Sequence, residues 1–390
     1  MIDTNSRLRP AAAWSAATLT ALALLLLAAA PALGQPIRRI AQNPRGLALG
    51  GTGMSYADDE MGLYYNPAGL AAASDTFWFE LLPLALEASP DGQEFIQDKL
   101  NSQDSDLGTL TGVADLIQQN IGKDIHFRAL VYPTAVIGFG DGVTLGFGGY
   151  WEAEVDLLFR NLATPEADAF FRKDTGMAGA LSFPLGDGKF VMGLGVRTID
   201  RTIGEGVISS ADLAIAAANN ELDLEQTLNV QEGTGTGYDL GMIMRLEAFP
   251  SLRSQLALVV QNVGGVDLGK AGEIEQEIGI GWAARPQFSS LVNGLIAIEY
   301  RDVAKALTDD SSDDKRTHIG LEVGIIPLDN STNLVTLRTG FGSGLFSWGF
   351  ELAFWHSFSI QFVSYGQEYG EVAGDDPRDR RILQINFLGF

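Results

Sequence analysis

The chain has 390 residues, with 49 acidic against 26 basic side chains, a formal net charge of −23 and no cysteine. That balance excludes a phosphate-binding nucleic-acid surface, which needs a basic face, and the lack of cysteine excludes a disulfide framework, thiolate chemistry and an acylated-cysteine anchor. The 46 Gly and 21 Phe suit a β-barrel, where glycine admits close backbone approach and Phe supplies lipid-facing area.

Residues 1–34 read as a secretory signal peptide. Arg7 and Arg9 precede an apolar run from Leu19 to Ala30, and the small residues Ala32 and Gly34 stand at the spacing for cleavage before Gln35. The run is too short to cross a bilayer comfortably as a helix, and no later stretch of about eighteen uninterrupted apolar residues is present. A membrane location must therefore rest on strands.

Residues 35–74 carry glycines at Gly46, Gly50, Gly51, Gly53, Gly62 and Gly69, but no apolar period long enough for an independent helix or strand. The segment reads as a folded plug. Within it, Ala57-Asp58-Asp59 followed by Tyr65-Asn66-Pro67-Ala68-Gly69-Leu70 resembles the N-terminal hatch of FadL-type outer-membrane proteins. That family includes long-chain fatty acid and aromatic hydrocarbon (TodX-like) transporters, and a more distant PorV-like branch that serves a secretion system. The resemblance implies a transmembrane antiparallel β-barrel with the hatch in its lumen. It also implies outer-membrane lipid and the barrel-assembly machinery as partners, with either a hydrophobic ligand or a secretion-system protein as a third. The expected hatch residues are Arg45, Gly50, Gly51, Gly53, Asp58, Asp59, Tyr65, Asn66, Pro67 and Gly69. The Gly46–Gly53 end is expected to offer few apolar contacts and to move easily, while Pro67 fixes the entry to the first strand.

From residue 75 to 390 the chain breaks into roughly ten-residue segments that alternate apolar with polar or small residues, as expected of strands between lipid and lumen. Ile319, Leu321, Val323 and Ile325 alternate with Gly320, Glu322 and Gly324; Phe346, Trp348, Phe350, Leu352 and Phe354 alternate with Ser347, Gly349, Glu351 and Ala353. About fourteen strands are expected, starting near Thr76, Ile125, Val143, Thr175, Phe190, Gly237, Gln255, Ile274, Leu295, Thr317, Leu334, Phe346, Ser359 and Arg381. Connections after even-numbered strands are mostly short, whereas those after odd-numbered strands, such as 87–124, 160–174, 200–233 and 302–316, are longer and acidic, with 342–345 the exception. That sorting fits short periplasmic turns and longer outer loops. The final stretch, Ile382 to Phe390, resembles a C-terminal assembly signal ending on Phe390. Two outer loops have helical texture, one with Phe95, Ile96 and Leu100 and one with Leu213 and Ile215.

Alternation places Arg197, Arg245, Arg301 and Arg338 in the lumen, facing Glu275, Glu277, Glu299, Glu322 and Glu351. Charges there must be paired or hydrated. They form either a ladder that fixes the wall and grips the hatch through Arg45, Asp58 and Asp59, or an arginine site for a carboxylate head group. Enzyme signals are weak. Gly51-Thr52-Gly53 lacks the third glycine and the strand–helix frame of a dinucleotide loop, so no cofactor is expected. His126, His318 and His356 are scattered and suggest no metal site. The expectation is a hatch-gated passage for small hydrophobic compounds; the alternative is a PorV-like docking protein without transport.

Overall fold

The computed structural model describes residues 38–58, 60–73, 77–101, 118–139, 142–160, 166–209, 228–247, 250–306, 313–328, 332–354, 358–369 and 376–387. The expected signal peptide, Asp59, His356, the 210–227 loop and Phe390 lie outside them. No described helix is long and apolar enough to cross a membrane. Fourteen strands close instead. They are β1 (Phe77–Glu80 and Leu84–Ala88), β2 (Asp124–Val131 and Thr134–Gly138), β3 (Thr144–Arg160), β4 (Glu166–Leu185), β5 (Phe190–Ser209), β6 (Gln231–Leu246) and β7 (Ser254–Gln261), followed by β8 (Glu277–Ala284), β9 (Val292–Tyr300), β10 (Thr317–Pro327), β11 (Asn333–Gly342), β12 (Leu345–Phe354), β13 (Phe358–Glu368) and β14 (Pro377–Phe387). Each pairs antiparallel with the next, and β14 returns to β1 in the register Arg381↔Ala88 through Ile385↔Leu84. Closure gives the strand amides and carbonyls partners without water, the condition for a sheet in lipid.

Two prolines interrupt that ladder. The break in β1 at Leu81–Pro83 lies beside the break in β2 at Tyr132–Pro133, where pairing resumes as Glu80↔Thr134 on one side and Leu84↔Val131 on the other. Proline has no amide proton to donate, so the ladder lacks donors at Pro83 and Pro133.

Alternation sorts the side chains as the sequence implies. On β11, Leu337 is 49% exposed on the outer face while Arg338 is buried in the lumen; on β12, Phe346, Trp348, Leu352 and Phe354 are exposed outward. Such a stripe is stable only in hydrocarbon, since each large side chain gains roughly 1.5–3 kcal/mol on leaving water.

The wall is not of even height. Strands β4 and β5 have 20 residues each, whereas β7 and β8 have 8. Strand β4 accordingly starts at Glu166 and not near Thr175, and β6 at Gln231 and not at Gly237. The physical reason is that these extensions rise past the lipid, where no apolar stripe is required and charged residues such as Asp168 and Lys173 occupy the strand. The 161–165 connection is consequently as short as the 139–143 turn, so the sorting of loop lengths is less regular than the sequence suggests. In the first outer loop, helix α1 (Pro90–Asn101) begins at Ser89, whose Oγ accepts the Gly92 amide at 2.9 Å. Phe95 packs on the cluster of Ile125, Phe159 and Ala167.

Replacing Leu337 by Arg puts a charge at mid-strand on the lipid face. The expected loss is about 2–4 kcal/mol in denaturant unfolding from liposomes, against little change for Leu337→Val.

Candidate functional site

Residues 38–58 and 60–73 fold inside the barrel. Two Asn-Pro pairs organise them. Asn43 caps a helical turn at Pro44–Ala48, its Oδ1 accepting the Arg45 amide at 2.5 Å, and Asn66 caps the tight turn Pro67–Gly69, its Oδ1 accepting the Ala68 amide at 3.0 Å. Proline suits both places because the first turn of a helix has no use for its missing N–H. The Asn66 amide group also donates to the Met54 carbonyl at 2.8 Å, tying the two halves of the hatch together.

Glycines on both surfaces allow the hatch to touch the wall. Gly50 and Gly51 have φ of +73° and +82°, a conformation other residues adopt at a cost. Facing them, a Cβ added at Gly340 would lie 2.1 Å from the Gly50 nitrogen, and one at Gly342 would lie 1.8 Å from its oxygen. Gly193 and Gly241 leave the same kind of space for Ala68 and Asn66. Wall glycines thus form a seat moulded to the hatch backbone.

On the β7–β12 side the grip is polar. Arg45 forms a bidentate pair with Glu322 at 2.9 Å and reaches Asp58 at 2.9 Å; Asp58 is held in turn by Arg285 at 2.8 Å. Burial alone would raise the Asp58 carboxyl, but the Arg285 and Arg45 guanidiniums outweigh it and hold the group well below the usual carboxylate range. Glu322 also accepts from Arg338, which continues to Glu351. Arg39 is bidentate to Glu277 at 2.8 Å, and Glu277 is shared with Arg301, whose Nη1 donates to the Gly51 carbonyl at 3.0 Å. One oxygen of Glu299 accepts from the Gly53 amide, the Ser55 amide and the Ser55 hydroxyl at 2.8–2.9 Å. Ser347 Oγ accepts the Gly50 amide at 3.0 Å and lies 3.1 Å from the Ala48 carbonyl, to which it donates.

The β1–β5 side is different. At its outer end Arg38 pairs with Glu154 and Asp156, and the Ala41 amide donates to Glu152 at 3.0 Å. Below that, hatch residues Leu63, Tyr64 and Leu70 meet Tyr132, Val136 and Tyr150 in a continuous apolar seam. The Tyr64 ring stands edge-on to Tyr132 and Tyr150 at 6.4 and 6.0 Å. This seam lies behind the break in the wall.

The structure brings most of the expected residues together and corrects others. Arg197 is buried in the lumen and pairs with Asp239 at 3.1 Å, lining a pocket that Arg39, Tyr65 and Glu277 also line. Arg245 is exposed at the turn end of β6, and Glu275 is exposed in the connection before β8, so neither belongs to the buried ladder. The Gly46–Gly53 end is not loosely held, because Leu47, Ala48 and Leu49 are buried and Gly50, Gly51 and Gly53 are all bonded to the wall. The sequence reading also missed a buried cluster on β1–β5. Here His126 lies between Glu87 and Asp156 at 3.0 and 2.5 Å, Arg172 meets Glu152 at 2.8 Å, and Arg201 meets Asp174 at 2.8 Å. Its signal was present as charged residues at a spacing of two: Glu152, Glu154 and Asp156; Arg172 and Asp174; His126 and Arg128. His126, Glu154 and Asp156 are close enough to hold a cation, but Arg38 and Arg172 already occupy those carboxylates.

No protein-family model and no curated protein matches the sequence. Solved structures match the fold. The toluene transporter TbuX of Ralstonia pickettii aligns with a TM-score of 0.53 at 12% identity, over 89% of this chain and 97% of that one. The toluene transporter TodX of Pseudomonas putida gives 0.54 at 12% identity, over 91% and 99%. The monoaromatic hydrocarbon channel CymD gives 0.51 at 12% identity, over 90% and 98%. The chain shares the fold of these transporters and channels, a closed antiparallel β-barrel.

If the wall glycines seat the hatch, Gly340→Ala should displace it while Gly179→Ala, where the nearest atom is 3.8 Å from the added Cβ, should not. Limited proteolysis of the folded barrel should cut within residues 38–58 in the first variant and spare that segment in the second.

Proposed function

We propose that this barrel passes small hydrophobic compounds across the outer membrane and that the hatch is its gate. The observation that carries this reading is the two-sided attachment of the hatch. On the β7–β12 side it is held by charge pairs and amide bonds, which an apolar molecule cannot replace, because a buried group left unpaired costs about 1–3 kcal/mol and a charge more. On the β1–β3 side, below the bonds of Arg38 and Ala41 to β3, it is held by the seam of Leu63, Tyr64 and Leu70 against Tyr132, Val136 and Tyr150, with a single hydrogen bond from the Tyr64 hydroxyl to the Gly149 carbonyl at 3.1 Å. A hydrocarbon or aromatic ring can replace the apolar contacts of the seam, since dispersion and burial are non-directional, at the loss of the one Tyr64 hydrogen bond. The polar side then acts as a hinge and the apolar side as the opening.

The adjoining break supports an exit through the wall. Leu81 and Leu82 face outward at this place, at 68% and 44% exposure. A compound leaving there goes from an apolar seam into hydrocarbon without crossing water. The hydrocarbon channels that share the fold agree with this substrate class.

The test is a photo-cross-link at the seam. Full-length protein carrying p-benzoylphenylalanine in place of Tyr64 should take up a fluorescent apolar probe in the dark and lose at least about tenfold of that uptake after irradiation joins the hatch to β2 or β3. Unchanged uptake by the cross-linked protein would contradict the gate. Absence of uptake by the wild type, with the barrel assembled, would favour docking for a secretion-system partner.

A further inference from the structure

The connection between β7 and β8 does not rise away from the barrel. Residues 262–276 turn back into the lumen as a small ribbon, in which Val266 pairs with Ile274 and Asp267 with Glu273 around a tight turn at Gly269–Ala271. Its bed is the inner face of β6. Gly233, Gly235 and Gly237 stand there at a spacing of two, on the same face as Gly241, which meets Asn66 and Ala68 of the hatch. A Cβ added at Gly233 would collide with the Leu268 carbonyl oxygen, and one at Gly235 would lie 2.6 Å from Val266 Cγ1. Strand β6 thus seats the hatch towards one end and the ribbon towards the other.

Burial and hydrogen bonds fix the ribbon in that place. Val266, Leu268 and Ala271 are at most 5% exposed and belong to the apolar cluster that includes hatch residues Ile40, Tyr64 and Tyr65. At its base the Asn262 amide donates to Asp239 at 2.8 Å, while Arg197 Nη2 donates to Asp239 at 3.1 Å and to the Asn262 side-chain oxygen at 3.0 Å. The buried Arg197–Asp239 pair therefore pins this connection.

The space left in the outer lumen is uneven. Between ribbon and hatch, a cavity lined by Ile40, Tyr65, Asn262 and Ile274 measures about 50 Å³, well below the roughly 150 Å³ of a cavity known to take benzene. On the β3–β5 side an open cavity of about 390 Å³ lies beside Arg38, lined by Leu158, Phe170, Val207 and Tyr369. Val207 is 55% exposed there, although it shares the lumen face of β5 with the buried Arg197 and Arg201.

We propose that the ribbon is a fixed outer stop, which closes the lumen above the hatch on the β5–β8 side and directs small hydrophobic compounds to the cavity beside Arg38, above the apolar seam. Its seat and its Arg197 anchor are directional and desolvated, so an apolar compound cannot take their place. The larger cavity admits an aromatic ring as it stands. The route rests on the passage reading, whereas the closure rests on the ribbon alone.

Single cysteines can report on the two sides, since the chain has 0 Cys. With benzyl methanethiosulfonate, a neutral reagent carrying a benzene ring, and the detergent-purified full chain, Val207→Cys should react as an exposed thiol. Ile40→Cys should react about a hundredfold more slowly, through local opening only. Two further variants remove the stop. In one, two glycines replace residues 264–274 and join Val263 to Glu275, which are near neighbours because Asn262 Nδ2 already reaches the Glu275 carbonyl at 3.4 Å. In the other, Gly235→Leu fills the space of Val266. Each should bring the Ile40→Cys rate to within about tenfold of the Val207→Cys rate, with heat-modifiable gel mobility confirming a folded barrel. Equal rates while the ribbon is intact, or an Ile40→Cys rate that stays slow in both folded variants, overturns the proposal. Neither result depends on uptake of the apolar probe, so failure of the stop and failure of the passage reading are told apart.

Discussion

The constraint behind this structure is that a closed barrel lined with charges has to be neutralised from within. Wall carboxylates at Glu277, Glu299 and Glu322 are buried, and an unpaired buried charge is prohibitive. The wall supplies part of the answer through Arg301 and Arg338, and the hatch supplies the rest through Arg39, Arg45 and the amides of Gly53 and Ser55. The hatch is therefore a component of the barrel's electrostatic balance. The glycine seat follows from the same need, because main-chain donors can satisfy a wall carboxylate only if the two backbones approach without intervening side chains.

That balance is unevenly placed, and the proposed gate depends on the unevenness. Ionic bonds concentrate on β8–β12 and again around Arg38 at the outer end, while the seam facing the wall break depends on burial of Leu63, Tyr64 and Leu70. Directional, desolvated pairs open reluctantly, and apolar contacts can be exchanged for a ligand of similar size. In the proposed gate, stability of the closed state and access for a hydrophobic compound thus reside on different faces of one short segment. The proline-interrupted stretch of β1 and β2 lies beside the apolar face.

Much of this was legible in the sequence where lipid enforces a period. Ile319 to Ile325 and Phe346 to Phe354 face outward as their alternation requires, and Thr317 and Phe190 begin strands where the pattern places them. The starts of β4 and β6 were displaced because the strands rise above the membrane and the apolar period stops before the hydrogen bonding does. Within the site, Arg45, Asp58 and Glu322 were identifiable because a lumen charge must find a counter-charge. Arg245 has lumen parity but sits at the rim, a distinction that depends on depth, which alternation does not encode. The firm hold on Gly50 was invisible for a different reason: it comes from main-chain atoms and from the missing side chains of Gly340 and Gly342, and an absent side chain does not announce which backbone will fill its space.

The most direct measurement is single-channel conductance in planar bilayers of the full barrel and of a variant lacking residues 36–74. If the hatch fills the lumen and neutralises it, the wild type should show little ionic conductance and the deletion a large one, selective for cations because Glu277, Glu299 and Glu322 lose their hatch partners. Equal conductance from the two, with the deleted barrel confirmed as folded, would contradict the account.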